Sequence, residues 1–147
     1  MMTRFGDFSL LRVLGESSAA ECYEASHDVE GGPFFLKRYR NAPPRYVSAL
    51  EQRCEALLTV QHGNLAPHIG HGDVDGVWFT VAPLLVGLDL EAFLESCRKR
   101  RVVLRWDAVL FVVREVARGV AALHAAAPSS RGPALLHGEV CARHVRL

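Results

Sequence analysis

The chain has 147 residues, enough for one ordinary domain with a sizeable core or for part of a larger one. Half of them are hydrophobic and 22% are charged, a globular balance that excludes a disordered chain. The formal net charge is +1, so no global field recruits nucleic acid or an anionic membrane surface.

The first third reads as strands. Phe8 to Leu14 is apolar-rich and closes on Gly15, and Ala20 to Ala25 follows as a second short run. HDVEGGP, residues 27–33, is a turn by its Asp, Gly and Pro content. PFFLKRYR then gives a third strand around Lys37, and Asn41-Ala42-Pro43-Pro44 breaks the chain. From Arg45 the period changes: Val47, Leu50, Cys54, Leu57 and Leu58 recur at three and four, which predicts a helix to about Gln61. Two further strands are expected over Ala66 to Gly72 and Val77 to Leu85, around the turn Asp73-Val74-Asp75-Gly76.

Asp89 is positioned to cap a short helix with Leu90, Phe93, Leu94 and Cys97 on its inner face. The strongest helical pattern is WDAVLFVVREVARGVAALHAA. Trp106, Val109, Leu110, Val113, Val116, Ala117, Val120 and Leu123 form its apolar stripe, and Asp107, Arg114, Glu115 and Arg118 gather opposite. The loop APSSRGP leads to the final segment, LLHGEVCARHVRL. Strands joined by short turns leave no room for parallel crossovers, so the expected class is α+β with a mainly antiparallel sheet.

No apolar stretch approaches the roughly 18 residues that a bilayer crossing needs. The N-terminal MMTRFGDFSL lacks the apolar core of a signal peptide, so the expected compartment is the cytoplasm. Cys22, Cys54, Cys97 and Cys141 are widely spaced with no C-x-x-C pair, which favours reduced thiols over disulfides. His68 and His71 could form a ligand pair, but no Cys or carboxylate cluster joins them in sequence, so no metal site is expected. Arg98-Lys99-Arg100-Arg101 reads as a solvated helix end.

The order and spacing of several anchors resemble the protein kinase fold in its bacterial Ser/Thr form. LGESSAAECYEA, residues 14–25, stands where that family has L-G-x-G-x-x-A-x-V-Y-x-A. FFLK at 34–37 stands where it has V-A-I-K, VQHGN at 60–64 resembles L-x-H-P-N, and VGLDLEAFL the segment after the hinge. REVARGVAALH is similar to the long helix before the catalytic loop, and LLHGEVCARHVRL aligns with L-V-H-R-D-x-x-x-x-N-x-L-L. The resemblance implies a kinase-like N-lobe over residues 1–86, with a five-stranded antiparallel sheet and one helix. A partial, mostly helical C-lobe over 87–147 would end at the catalytic loop.

It also implies a set of site positions. Gly15, Cys22, Phe35, Lys37, Ala82 and Leu84 fall at nucleotide-binding positions. Arg53 falls where the family has the glutamate that pairs with the lysine, and a register slip would bring Glu55 there instead. Glu139 stands at the catalytic base, His137 at the motif histidine and His144 at the magnesium-binding asparagine.

The departures point away from catalysis. Gly15 is kept, but Ser17, Ser18 and Ala20 replace more permissive positions in a loop whose glycines let backbone N–H groups approach an anion. Phe35 shares a face with Lys37 and claims volume that adenine needs. An arginine at 53 would repel Lys37. Glu139 moves the carboxylate by about 1 Å, Gly138 removes an arginine, and the imidazole of His144 suits zinc or copper better than magnesium. No D-F-G follows within the 147 residues.

The expectation is therefore a truncated, inactive kinase-like protein without cofactor, acting as a protein-binding or regulatory module. The alternative is an ATP- and Mg2+-dependent Ser/Thr protein kinase, or a fragment of one, with Lys37 and Glu139 in catalytic roles. The later helices that bury the long helix in kinases are absent from the sequence. A protein partner or a second copy is therefore expected to cover the 106–124 face, with no nucleic acid or membrane involved.

Overall fold

The computed structural model describes residues 3–126 and 135–147; the APSSRGP loop lies outside them. The element order is β1 (Thr3–Phe5), β2 (Phe8–Glu16), β3 (Ala20–His27), β4 (Gly31–Tyr39), α1 (Pro44–Leu57), β5 (Gly70–Val74), β6 (Val77–Pro83), α2 (Leu90–Lys99) and α3 (Trp106–Ala125). A short 3-10 turn follows at Ala142–His144. The chain divides into two compact units. One is built up to Gln61 together with Ala66–Leu84, and the other from His62–Leu65 with Leu85 onward.

The first unit is a six-stranded, wholly antiparallel sheet in the order β1-β2-β3-β4-β6-β5, with α1 in the same unit. This is the expected α+β architecture with one strand added at the edge. Thr3–Phe5 pairs back on β2 through the tight Gly6-Asp7 turn, where Gly6 takes a left-handed φ of 56°. Three residues are too few to show an alternating pattern, so only that turn pair signals β1. The strand expected from Ala66 begins at Gly70 instead. α1 stops at Leu57, where the N–H of Leu58 still reaches the carbonyl of Cys54.

The sheet's core face gathers Phe5, Leu10, Ala25, Leu36 and Val81, all buried, with Phe8, Phe34 and Phe79 packed around them. The rings of Phe5 and Phe79 meet edge to face at 5.5 Å, and those of Phe8 and Phe79 at 5.7 Å. Side chains alternate along a strand. With Leu36 fully buried and Phe34 packed against the core, Phe35, Lys37 and Tyr39 take the opposite face. On β6 the same alternation sends Val77, Phe79 and Val81 to the core and Trp78, Thr80 and Ala82 to the Lys37 face.

In the second unit the Asp89 carboxylate accepts the N–H of Ala92 at 2.7 Å and caps α2 as expected. Cys97 is buried, and Leu90, Phe93 and Leu94 are half-buried. The basic run is exposed, and Glu95 pairs with Arg98 and Lys99 one turn along. Residues 62–65 dock on α3: the Asn64 amide donates to the Glu115 carbonyl at 2.9 Å and to its carboxylate at 2.8 Å. Gly119 permits this approach, since a Cβ there would lie 2.8 Å from the Asn64 carbonyl oxygen.

The apolar stripe of α3 is only partly covered. Leu123 is buried and Val109, Val116 and Val120 are half-buried, but Trp106, Leu110 and Val113 are 80%, 65% and 59% exposed. No helix among the described residues is long and apolar enough to cross a membrane.

Gly119→Ala should cost about 1–3 kcal/mol by forcing Asn64 off α3. Chemical denaturation should show this loss, whereas the same change at the open Gly63 should not.

Candidate functional site

In the first unit the candidate positions fall on adjacent rungs of the sheet. Gly15 lies opposite Cys22, Cys22 opposite Lys37, and Phe35 opposite Ala82. Leu84 donates its N–H to the Pro33 carbonyl at 3.2 Å. Burial beside Lys37 pushes the Cys22 thiol up, and the lysine's charge opposes that shift. Phe35 is half-buried on the Lys37 face. The Lys37 ammonium lies 5.0 Å from the centre of the Tyr39 ring, a cation–π contact, and no ion pair among the described residues includes it.

The reason lies in how α1 faces the sheet. Val47, Leu50, Cys54 and Leu57 form its inner stripe, and Cys54 is its one buried side chain. Arg53 and Glu55, the two candidates for the position facing Lys37, are both exposed, as is Glu51. What α1 presents inward at this level is a thiol, which burial pushes up to about 11. Tyr39 is likewise pushed up to about 12, mainly by burial. Both groups are neutral, and neither supplies the negative charge that would orient an ammonium.

The β2–β3 turn is closed by its own side chain. The N–H groups of Ala19 and Ala20 donate to Ser17 Oγ at 3.3 and 3.1 Å, and the Ser17 N–H donates to the Ala20 carbonyl at 2.8 Å. Three amides of the segment that would cradle a phosphate are thus engaged within the loop. Each such bond is worth about 0.5–1.5 kcal/mol that an anion would have to replace. Arg40 braces the turn from β4, donating to the Ser17 carbonyl at 3.2 Å and pairing with Glu16 and Glu21. Arg38 also pairs with Glu21. Hydrogen bonds from Arg40 and then Arg38 hold the Glu21 carboxyl down at about 2. Its equivalence to a strand residue of an ordinary hairpin gave no sign of this network in the sequence.

In the second unit His137 is half-buried, and Glu139, Cys141 and His144 are exposed. Gly138 takes a φ of 77°, a left-handed conformation that an arginine would adopt only with strain, so the local backbone accounts for the glycine. The N–H of Glu139 donates to His137 Nδ1 at 3.3 Å, and His144 Nδ1 lies 2.8 Å from the Glu139 carbonyl. That second contact fixes the tautomer: Nδ1 carries the proton, and His144 braces the loop across five residues. The Glu139 carboxylate takes part in no ion pair among the described residues. The following residues zip onto the start of α2, with Leu90 N–H on the Val145 carbonyl and Leu147 N–H on the Leu88 carbonyl.

The histidine pair has a neighbour that the sequence did not reveal. Among the described residues a single group of His, Cys, Asp and Glu side chains is close enough to share an ion, and it contains the histidine pair. Cys54 joins His68 and His71, with donor atoms within 4.8 Å of one another. The sequence hides this because the thiol comes from α1, well outside the spacing of local metal motifs.

The antiparallel sheet with its single helix, followed by helices and a histidine-glycine-carboxylate loop, defines a protein-kinase-like chain. Comparison with solved structures agrees: the kinase domain of PknI from Mycobacterium tuberculosis superposes with a TM-score of 0.77 and 24% identity, covering 99% of this chain and 57% of that one. In sequence, Serine/threonine-protein kinase PknE of Mycobacterium tuberculosis is 25% identical over 132 residues, 88% of this chain. Serine/threonine-protein kinase PknH of the same organism is 27% identical over 124 residues, 82% of this chain. No family model matches the chain. The chain is protein-kinase-like in fold, and in sequence it is similar to bacterial Ser/Thr kinases. It spans 23% of the length of PknE and 19% of PknH, and so corresponds to part of such a protein.

A carboxyl held below its ordinary value of 4.5 stabilises the fold fully above that value and loses its contribution as pH falls toward 2. Glu21→Gln should therefore lower stability at pH 7 by about 1–2 kcal/mol, discounted because Arg40 is exposed and Arg38 only half-buried. It should also flatten the loss of stability between pH 4.5 and 2 in acid unfolding followed by circular dichroism.

Proposed function

We propose that the chain is a pseudokinase-like binding or regulatory module, not a phosphotransferase. The observation that carries this reading is the inward face of α1, where Cys54 is buried while Glu51, Arg53 and Glu55 are exposed. Lys37 rests on the Tyr39 ring, and among the described residues no ion pair joins it to a carboxylate. A lysine that binds phosphate works as an oriented point charge, and an aromatic face fixes its direction far less than an ion pair does.

Two further features support it. The phosphate-loop amides are spent on Ser17, and the donor set of the 137–144 loop does not fit magnesium. His144 offers a nitrogen where a hard cation takes oxygen, and its Nδ1 is held by the Glu139 carbonyl. No catalytic step is derived through ATP or Mg2+ on these residues.

The binding role follows from α3. Trp106, Leu110 and Val113 recur on one side of the helix and are mostly exposed, an apolar row that water tolerates poorly. A protein partner or a second copy of the chain covers this 106–124 face in the proposed assembly. The enzyme reading is favoured by Lys37 on its strand together with the exposed Glu139 carboxylate, which joins no ion pair among the described residues. It would make the chain the nucleotide-holding part of a Ser/Thr protein kinase.

A ligand at a hundredfold its Kd stabilises a protein by about 2.7 kcal/mol. The binding-module reading expects no change in thermal midpoint with millimolar Mg-ATP, and a magnesium-dependent rise of several degrees would support the enzyme. For the α3 face, sedimentation should show association that Leu110→Glu removes. A compact, non-aggregating monomer at micromolar concentration would exclude the self-association form of the proposal.

A further inference from the structure

Three donors from separate segments meet on the Lys37 side of the sheet. Cys54 comes from α1, His68 from the loop before β5, and His71 from β5 itself. His68 Nε2 and His71 Nδ1 are 3.2 Å apart, and their rings stack with centroids 5.5 Å apart at 22°. The thiol is buried and both histidines are half-buried. Trp78 lies against His71 at 5.8 Å, and Tyr39 packs on Trp78 at 5.2 Å, so the surroundings are aromatic.

The distances suit a tetrahedral ion. Zinc bonds of 2.0–2.1 Å to nitrogen and 2.3 Å to sulfur place two nitrogens roughly 3.3–3.4 Å apart and nitrogen and sulfur roughly 3.5–3.6 Å apart. The histidine pair already has that edge. The largest donor separation is at most 4.8 Å, so the sulfur would close by roughly 1 Å, within the reach of one χ1 adjustment. One thiolate with two imidazoles is a borderline-soft set that rejects magnesium and calcium.

We propose that Cys54, His68 and His71 bind Zn2+ as a three-donor site with an open fourth position, tying α1 to β5. Binding releases one proton from the Cys54 thiol, while the ring that donates in the His68–His71 hydrogen bond moves its proton to its other nitrogen. The tie has a structural use. α1 has no side-chain cap at its N-terminus, and Cys54 is its one buried side chain beside the half-buried Val47, Leu50 and Leu57, so the tie would add to a thin apolar contact. This inference shares the inward position of Cys54 with the proposed function but invokes neither nucleotide nor the α3 face.

The test uses the full chain and Co2+ as the spectroscopic probe, displaced by Zn2+. The expected result is one Co2+ per chain with a thiolate-to-cobalt charge-transfer band, and a thermal midpoint several degrees higher with Zn2+. Cys54→Ser and His71→Asn should weaken Co2+ binding at least about a hundredfold, at or beyond the loss seen for groups that merely orient ligands. Cys141→Ser, at the exposed thiol, should leave it unchanged.

A band that survives Cys54→Ser, one that disappears in Cys141→Ser, or none at tenfold excess of Co2+ overturns the proposal. If the Cys54 variant does not fold, the unsubstituted chain decides. Zn2+ should slow alkylation of Cys54 at least tenfold, located by mass spectrometry, and equal labelling with and without Zn2+ overturns the site.

Discussion

Leu36 has no exposure to solvent, and that single burial orders the whole of β4. Withdrawing an aliphatic side chain from water is worth about 1.5–3 kcal/mol, and a shift of one residue would forfeit it here and at every alternate position. The strand therefore cannot slip. Lys37 is held on the opposite face with Phe35 and Tyr39, whatever the charge there requires. The kinase-like position of the lysine is thus secured by packing on the far side of the sheet, not by a partner on its own side.

That separation explains how a kinase-like sheet persists with altered surroundings at Lys37. The aromatic core of Phe5, Phe8, Phe34 and Phe79 lies on the face that makes no demand on Lys37. On the other face the packing is supplied by Tyr39, Trp78, His71 and Cys54, and burial keeps the Tyr39 hydroxyl and the Cys54 thiol neutral. Charge has moved to the rim instead, where Arg38 and Arg40 converge on Glu21.

Much of the fold was legible because it rests on short-range patterns. The period-two run around Lys37, the three-and-four spacing from Val47, the Asp89 cap and the long α3 stripe each appear as expected. The strand Thr3–Phe5 did not, since its evidence is one Gly-Asp pair. The site was less legible. Counting back from His62 reaches Arg53, but a helix turns 100° per residue, and a one-position difference exchanges an exposed cation for the buried Cys54. The meeting of Cys54 with His68 and His71, and of Asn64 with Gly119, depends on chain closure over many residues, which no local spacing encodes.

The hydroxyl of Ser17 has a thermodynamic consequence. A glycine-rich turn stays conformationally diverse until an anion gathers its amides, so the entropy of ordering it is charged to the ligand. Here an oxygen of the protein's own already sits at the focus of those amides. The ordering of this turn is then largely met when the hairpin forms, not when an anion arrives. A device that signals by stiffening on contact would have to reside elsewhere in the molecule.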